Sequence, residues 1–423
     1  MRPGNLNNGG RAAAAPAKGM PLYAAVFSMP VLVASLGYFV DIYDLVLFSI
    51  VRVPSLEALG ISGKALMDKG VYLLNMQMAG MLLGGIVWGI LGDRKGRLKI
   101  LFGSITLYSL ANLANGFATT LGAYSALRFV AGVGLAGELG AGITLVSELL
   151  PRQSRGYGTM AVATVGVSGA ILANYITLHF EWRTAYFLGA GLGFALLLMR
   201  IGVYESGMFR QMEALDVRRG DFLSLFMDRK RFSKYIKSIL IGLPIWFAVG
   251  VLVTFSPEFA QALHVTGAVS AGNAVMFCYL GLIFGDFTSG FLSQQLNSRK
   301  KIVLLYIALS STAIAAFFLS SGISAGAFYG LCAALGFAIG YWAIFVTIAA
   351  EQFGTNLRAT VATTVPNFVR GAVVPITFAF QALKSAVGIL GAGMAVAAVC
   401  ILAALYALSG LEETFGKHLD YTE

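Results

Sequence analysis

GILGDRKGRLK, at residues 89–99, packs five charged side chains between two apolar runs. They are Asp93, Arg94, Lys95, Arg97 and Lys99. Because each flanking run is long enough to cross a bilayer, the charged stretch predicts a tight loop on the cytoplasmic side of a membrane. A weaker copy, GFLSQQLNSRK at residues 290–300, closes another apolar run half a chain later. This repeat predicts two related halves, each a bundle of membrane helices.

The composition agrees with a membrane protein. Of the 423 residues, 57% are hydrophobic and only 12% are charged, about half the charged share of a soluble domain. Apolar runs of membrane length lie at roughly 22–51, 71–92, 98–117, 122–149, 157–179, 184–203, 236–260, 269–293, 301–320, 325–350, 360–383 and 387–409. We therefore predict an all-α integral membrane protein, with twelve transmembrane helices in two pseudo-symmetric six-helix bundles.

The distribution of charge sets the expected orientation. The net charge is +10, but most Lys and Arg fall in alternate connections between the apolar runs, and this excludes a nucleic-acid surface. The bias predicts an inner (cytoplasmic) membrane protein with both termini in the cytoplasm. Arg128 and Arg370 are exceptions that lie within the predicted membrane.

The chain divides into five segments. Residues 1–20 are low in complexity and predict a disordered cytoplasmic tail. Two bundles follow at 21–203 and 236–410, joined by a charged cytoplasmic linker at 204–235. In this linker, DFLSLFMDRKRF is compatible with either a short surface helix or a solvated loop. A second cytoplasmic tail occupies 411–423.

Enzyme and metal patterns do not emerge from the sequence. The three cysteines, Cys278, Cys332 and Cys400, lie in apolar runs and predict core packing. The three histidines are scattered, and no phosphate-binding or nucleophile motif occurs. We expect no enzymatic activity, no metal and no cofactor. The expected partners are a small molecule, protons and the lipid bilayer, and we expect a monomer.

Carboxylates inside a membrane are costly and usually serve function. Asp41 and Asp44 stand three residues apart in the first run, so they share one helix face. Two carboxylates this close do not both ionise easily at low dielectric. This pair predicts a proton-coupling site, with Glu138 as a candidate relay. The alternative is that one carboxylate only hydrogen-bonds to a neighbouring helix.

Arg370 predicts an anion site. It lies about ten residues into the eleventh run, near the bilayer midplane, and Pro366 loosens the helix one turn earlier. A bound carboxylate or phosphate suits the guanidinium. The alternative partner is Asp286 of the eighth run. Polar and aromatic side chains in the other runs could line the same cavity, namely Asn75, Gln77, Asn174, Tyr175, Trp246, Tyr341 and Asn367. Each of them could equally form a packing contact between helices.

A second cluster predicts a cytoplasmic gate. Asp93, Arg94 and Arg97 can form a charge network with the Glu148…Arg155 pair, whose spacing recurs in the other half as Glu351…Arg358. Weak bonds near water suit a gate that opens in each cycle. The alternative, charges that only set topology, does not explain Asp93 or the repeated pairs.

These motifs resemble the major facilitator superfamily. GILGDRKGRLK is similar to that family's loop between helices two and three, and RFVAGVGLAGELGAG from Arg128 is similar to its helix-four pattern. GYFVDIYDL, GELG, Glu205-Ser206 and EETFGKHLD resemble the branch of sugar, phosphate and metabolite proton symporters. The resemblance implies that Arg128 takes part in proton movement or anion binding. An ion pair of Arg128 with Asp41 or Asp44 is the structural alternative.

There are two departures from the pattern. Glu412 stands where the tail motif has Pro, and the second loop copy carries Gln294, Gln295 and Ser298 in place of charges. This loss predicts that the C-terminal gate is weaker or differently built.

We therefore predict a secondary transporter that couples proton entry to uptake of a small anionic metabolite, an organic acid or phosphate-like molecule, by alternating access. The alternatives are a neutral-sugar symporter, a drug or metabolite exporter, and a non-transporting nutrient sensor. A sensor fits poorly because both tails are short.

Overall fold

The computed structural model describes residues 29–95, 97–138, 140, 155–205 and 222–417. Within these ranges the chain is helical, and one isolated bridge joins Thr266 to Ser324. The helices of the N-terminal half are α1 (Met29–Ala58), α2 (Lys64–Lys95), α3 (Arg97–Asn115), α4 (Leu121–Leu135), α5 (Arg155–Val167), α6 (Gly169–His179) and α7 (Trp182–Glu205).

The C-terminal half is more often interrupted. Two linker helices, α8 (Ser224–Met227) and α9 (Arg229–Leu240), lead into it. Asp228 separates them and caps α9 by accepting hydrogen bonds from the backbone N–H groups of Lys230 and Arg231. The remaining elements are α10 (Leu243–Phe247), a π-helical segment (Ala248–Val253), α11 (Ser256–Ala262), α12 (Ala271–Gln295), α13 (Arg299–Leu319), α14 (Ala325–Ala338), α15 (Trp342–Glu351), α16 (Thr355–Gly371) and α17 (Val373–Ser409).

Every predicted apolar run contains helix. Nine stretches in the described part of the chain are long and apolar enough to cross a membrane. The last of them, 360–409, has 50 residues and covers two predicted runs. Gly388 breaks it, with φ of 73°, a left-handed conformation that glycine adopts without steric cost. The predicted all-helical membrane fold is confirmed.

The two halves repeat one packing device. In the first half α2 crosses α4 closely, because a Cβ on Gly84 would lie 2.8 Å from the Cα of Val133. In the second half α12 crosses α14 in the same way, since a Cβ on Gly336 would lie 2.6 Å from the carbonyl carbon of Cys278. Small residues let membrane helices approach to backbone contact. The shared device supports the predicted repeat.

We name the two ends of the bundle by their connections. The inner end carries the α2–α3 connection near residue 96, and the outer end carries the α1–α2 connection at 59–63.

Candidate substrate and coupling site

Three helix interruptions in the C-terminal half each adjoin a large side chain of the candidate site. Trp246 lies in α10, directly before the π-helical segment. Trp342 begins α15, after the break at 339–341 that separates it from α14. Arg370 lies in the last turn of α16, before the break at Ala372. Transporters build substrate sites at discontinuous helices, and π segments are frequent at functional sites.

Arg370 is the centre of this site. Its side chain is 1% exposed, and its guanidinium carbon lies 5.7 Å from the ring centroid of Trp246 and 5.5 Å from that of Trp342. Nη2 lies 3.9 Å from Oδ2 of Asp41, beyond hydrogen-bond distance. Nε and Nη1 donate to no protein acceptor. The result is a buried cation with two aromatic neighbours and unused donors.

Asp41 and Asp44 are both fully buried, as their shared face predicts. None of their four carboxylate oxygens has a hydrogen-bond partner in the protein. The two carboxylates nevertheless face different cations. Arg370 of the other half is the main positive charge acting on Asp41, whereas Arg128 of the same half is the main one acting on Asp44.

Arg128 is held by amides. Its Nη2 donates to Oδ1 of Asn112 at 2.6 Å, and its Nε donates to Oδ1 of Asn115 at 3.3 Å. The guanidinium carbon lies 4.7 Å from the ring centroid of Tyr186. The hydrogen bonds described for Arg128 therefore go to α3, and the alternative of an ion pair with Asp41 or Asp44 is not formed in this structure.

Glu138 has a partner that the sequence did not reveal. Both of its oxygens contact the guanidinium of Arg200 in α7, with Nη1 donating to Oε2 at 3.1 Å and Nη2 paired with Oε1. Both side chains are buried. Arg200 lies near the end of an apolar run, where a basic residue looks like an ordinary loop charge. The buried ion pair shows that it belongs to the helix interior.

The polar residues nominated for the cavity mainly join helices. Gln77 donates to the carbonyl of Leu45, Asn174 to Oδ1 of Asn273, Asn367 to the carbonyl of Ala136, Tyr341 to the carbonyl of Ile241, and Asn75 accepts from Thr377. Tyr175 is 58% exposed. Of the nominated set, Trp246 is the one whose ring contacts Arg370.

Two residues of the site were missed. Trp342 lies in a continuous apolar run, where a tryptophan does not stand out, although the preceding Gly340-Tyr341 hints at a break. Tyr38 is buried among Arg370, Asp41 and Asp286. Asp286 accepts a hydrogen bond from the backbone N–H of Ala343 at 3.2 Å and so caps α15. Its described contact is thus a helix cap, and the ion pair with Arg370 that was the alternative is not seen.

Comparison with known proteins settles the family. The sequence model of the Major Facilitator Superfamily matches residues 34–376. The chain belongs to this superfamily. It is 26% identical over 347 residues to a putative niacin/nicotinamide transporter of Bacillus subtilis, covering 80% of this chain and 84% of that protein. It is 25% identical over 292 residues to a gentisate transporter of Corynebacterium glutamicum, covering 63% of this chain and 64% of the relative.

A solved structure gives the same fold. A major facilitator proton:xylose symporter, bound to 6-bromo-6-deoxy-D-glucose, superposes with a TM-score of 0.70 over 95% of this chain and 98% of the other. The two sequences are only 16% identical, so this likeness concerns architecture. The family membership also establishes that the protein is a transporter and not an enzyme.

The inner end of this major facilitator protein is partly described. Asp93, Arg94, Arg97 and Arg155 lie in the helices α2, α3 and α5, but their side chains, like all of Glu148, lie outside the described residues. In the second half, Glu351 pairs with Arg299 at 2.8 Å. Nη2 of Arg358 lies 3.4 Å from the carbonyl oxygen of Phe353.

The tail supplies an acid that the second loop copy lacks. Glu413 accepts hydrogen bonds from the Ser298 hydroxyl and from the backbone N–H groups of Arg299 and Lys300, at the N-terminus of α13. Burial by itself raises the pKa of Glu413, but these hydrogen bonds outweigh it and hold that pKa below its usual value. The start of α13 thus takes an acidic partner from the tail, in a half whose loop copy carries Gln294, Gln295 and Ser298 in place of charges.

The outer end is closed by contacts between the halves. Nη2 of Arg52 in α1 donates to Oε2 of Glu258 in α11 at 2.7 Å, and Nη1 lies 2.6 Å from Oε1. Arg52 is fully buried and lies over the Phe255 ring, while the hydroxyls of Ser49 and Thr254 are 2.9 Å apart. We call the Arg52–Glu258 pair the outer latch. Asn367, one helical turn from Arg370 on its inner side, also joins the halves by donating to the carbonyl of Ala136 at 2.8 Å.

Proposed function

We propose that this protein is a proton-coupled symporter that imports a small aromatic carboxylate by alternating access. The observation that carries the proposal is Arg370, a buried guanidinium with unused donors beside two tryptophan rings. Its one facing carboxylate, Asp41, is 3.9 Å away and too distant to hydrogen-bond, so an anionic ligand is a natural partner for the remaining donors. The inner end would face the cytoplasm, with both termini there, and the transport unit would be a monomer.

The surroundings favour an aromatic acid over a sugar. A sugar site needs several free hydrogen-bonding groups, but the NH2 groups of the nominated amides already donate to other groups of the protein. Among these amides, only the buried oxygens of Gln77 and Asn367 lack a partner. What remains around Arg370 is mainly aromatic, namely Trp246, Trp342 and the buried Tyr38. Flat aromatic faces suit a planar ring. The names of two relatives contain niacin, nicotinamide and gentisate. All three are aromatic, and niacin and gentisate are carboxylic acids, which supports an aromatic substrate and favours the acid.

Asp41 gives a physical basis for coupling. When Asp41 is ionised, it competes with an incoming carboxylate for Arg370 and repels it. When a proton neutralises Asp41, that repulsion ends and Arg370 is free to bind the anion. Proton and anion therefore bind with positive cooperativity, and the linkage is reciprocal. A carrier that changes access mainly when both are bound is a symporter.

The test uses a matched pair of ligands. Nicotinate and nicotinamide share one ring and differ in the charge of a single substituent. Isothermal titration on the purified protein is expected to show nicotinate binding and at least roughly tenfold weaker nicotinamide binding, since a charge-assisted hydrogen bond contributes about 1.5–3 kcal/mol.

Two variants distinguish the loss of the anion site from the effect of removing any arginine that lies over a tryptophan. Arg370→Gln is expected to abolish nicotinate binding while the protein still folds and inserts. Arg183→Gln is the control, because Arg183 also lies over a tryptophan, Trp182, at the outer end of α7 and away from the site. Equal binding of both ligands, or unchanged nicotinate binding by a stable Arg370→Gln protein, would end the anion-site proposal.

A further inference from the structure

One face of α7 carries a row of buried polar groups inside the N-terminal half. Gly189 and Gly193 lie one turn apart on this face, and Arg200 follows two turns later. A Cβ on Gly189 would lie 2.5 Å from Oδ1 of Asp44, and one on Gly193 would collide with the hydroxyl of Ser109. Arg200 meets Glu138.

Tyr108, beside Ser109 on α3, completes the row. A Cβ on Gly193 would lie 3.2 Å from its ring. The charges that act on the Tyr108 hydroxyl are, in decreasing order, those of Glu138, Asp44, Arg200 and Asp41. The Tyr108 hydroxyl is therefore within electrostatic range of both the Asp44 carboxylate and the Glu138–Arg200 ion pair.

The atoms along this row are fully buried and have no hydrogen-bond partner at normal geometry, although the Asn112 amide adjoins the Asp44 carboxylate. They are both carboxylate oxygens of Asp44, the hydroxyls of Ser109 and Tyr108, Nδ2 of Asn112 and Nε of Arg200. Buried polar groups in native proteins are almost always hydrogen-bonded to protein or to water. The row extends over ~16 Å of helix, from Gly189 to Arg200. We therefore expect ordered water molecules to hydrogen-bond to its hydroxyls and carboxylates.

We propose that this row is a proton track within the N-terminal half, with Tyr108 as its relay. This proposal rests on the proposed proton coupling and adds the path that the proton takes through the N-terminal half. The proton leaves the Asp44 carboxyl for the hydroxyl chain. Each hydroxyl or water accepts one proton and donates another, and the last proton passes to the Glu138 carboxylate. From there it is lost to water at the inner end, and Glu138 pairs again with Arg200.

The track is separate from the substrate route. Arg370, Trp246 and Trp342 belong to the other half, and of the two acidic residues only Asp41 faces them. Asp44, one turn along α1, faces Arg128 within its own half. The two carboxylates then have different roles. The charge of Asp41 controls anion binding at Arg370, and Asp44 gives its proton to the track.

The test compares two tyrosines of the same half. Tyr108→Phe removes the unpartnered hydroxyl of the track. Tyr43→Phe is the control. The Tyr43 ring also borders Gly189, but its hydroxyl is already committed, because it donates to the carbonyl of Ala185 at 2.8 Å. Each variant is reconstituted in vesicles, and uptake of labelled nicotinate is measured twice, once driven by a pH gradient and once as counterflow without a gradient.

Tyr108→Phe is expected to lower gradient-driven uptake by roughly tenfold or more, because a positioned proton-transfer group contributes at least that factor. Counterflow should stay near the parent value, and Tyr43→Phe should resemble the parent in both assays. Ser109→Ala is the milder second variant, expected to lower gradient-driven uptake alone.

Two results would overturn the track. In one, Tyr108→Phe and Ser109→Ala both accumulate nicotinate like the parent. In the other, Tyr108→Phe loses counterflow to the same degree as gradient-driven uptake, which indicates a structural role. Failure of the proposed function looks different, since the parent itself would then show no gradient-driven uptake of nicotinate.

Discussion

At the scale of single residues, the cost of burying charge made most of the site predictable. Asp41, Asp44, Arg128 and Arg370 stand out because ionisable groups in apolar runs are rare. Their partners were not predictable in the same way. Which cation faces which carboxylate depends on helix rotation and on side-chain length, and neither leaves a spacing in the sequence. Trp342 was missed because an aromatic residue in an apolar run costs nothing.

The division between the two carboxylates gives a prediction with a definite sign. Because ionised Asp41 repels the anion from Arg370, nicotinate affinity in the parent should rise as the pH falls from mildly alkaline to mildly acidic. Asp41→Asn resembles the protonated state, so its affinity should be high and independent of pH, and gradient-driven accumulation should be lost. Titration calorimetry across this pH range measures the effect.

Asp44→Asn serves as the comparison for Asp41→Asn. Its neutral side chain cannot release a proton, so gradient-driven uptake should fall strongly while counterflow and the pH dependence of nicotinate binding remain. A parent-like pH dependence in Asp41→Asn, or parent-like accumulation by both variants, would contradict the coupling scheme.

At the scale of helices, lengths and positions followed from hydropathy, but the interruptions did not. Each predicted run contains helix within the described residues, because a membrane leaves backbone groups no other partner. The break at Gly340 lies where this glycine approaches the backbone of Gly285 closely, a contact that the sequence does not show. The break at Ala372 and the π segment likewise have no hydropathy signal. Pro366 predicted a local weakening of α16. The helix ends at Gly371, directly after Arg370.

The inner end of α13 offers a test of one helix terminus. Glu413 accepts backbone N–H groups there, so Glu413→Gln should lower the free energy of unfolding by about 1 kcal/mol, the usual contribution of a helix cap. Glu412→Gln is the control, since Glu412 forms an exposed pair with Lys417, and such pairs contribute little. Thermal unfolding in detergent compares the three proteins.

The pH dependence of this cap has a fixed sign. Since the folded-state pKa of Glu413 is lowered, its stabilisation is present above the unfolded-state pKa and is lost as the pH falls through the folded-state value. The difference between parent and Glu413→Gln should therefore be present at neutral pH and shrink on acidification. A constant difference at all pH values would show that the charge of Glu413 is not what stabilises α13.

At the scale of the whole molecule, the two-fold repeat was visible in the sequence, but the contacts between the halves were not. The repeated loop and the paired Glu…Arg spacings marked the architecture. By contrast, Arg52 and Glu258 are far apart in the chain, and each looks like an ordinary charge at a helix end. Only the packing of α1 against the second half reveals that they form one buried ion pair.

Breaking the contacts at the inner end and breaking those at the outer end should shift the equilibrium between inward-facing and outward-facing states in opposite directions. Asp93→Asn is expected to favour inward-facing states, because it removes the acid of the charged inner loop. Spin-label distances between inner helix ends would lengthen in this variant. An unchanged distance distribution would reduce GILGDRKGRLK to a determinant of topology.

The outer latch leads to the converse expectation. Arg52 is fully buried, so removing its partner leaves an uncompensated cation in the state closed at the outer end, and opening to water relieves this cost. Glu258→Gln should therefore shift the population towards outward-open states. The control is Asp68→Asn, which removes an exposed pair with Lys384 that also joins the two halves at the outer end and should contribute little.

Double electron–electron resonance can measure this shift. Spin labels at Ser62→Cys and Ser321→Cys would report the outer separation of the halves, because both positions are exposed and the three native cysteines are buried. The long-distance population should grow in Glu258→Gln and stay at the parent level in Asp68→Asn. If the two variants respond alike, or if neither differs from the parent, the buried latch does not hold the outer end closed, and the many weaker contacts between the halves must do so instead.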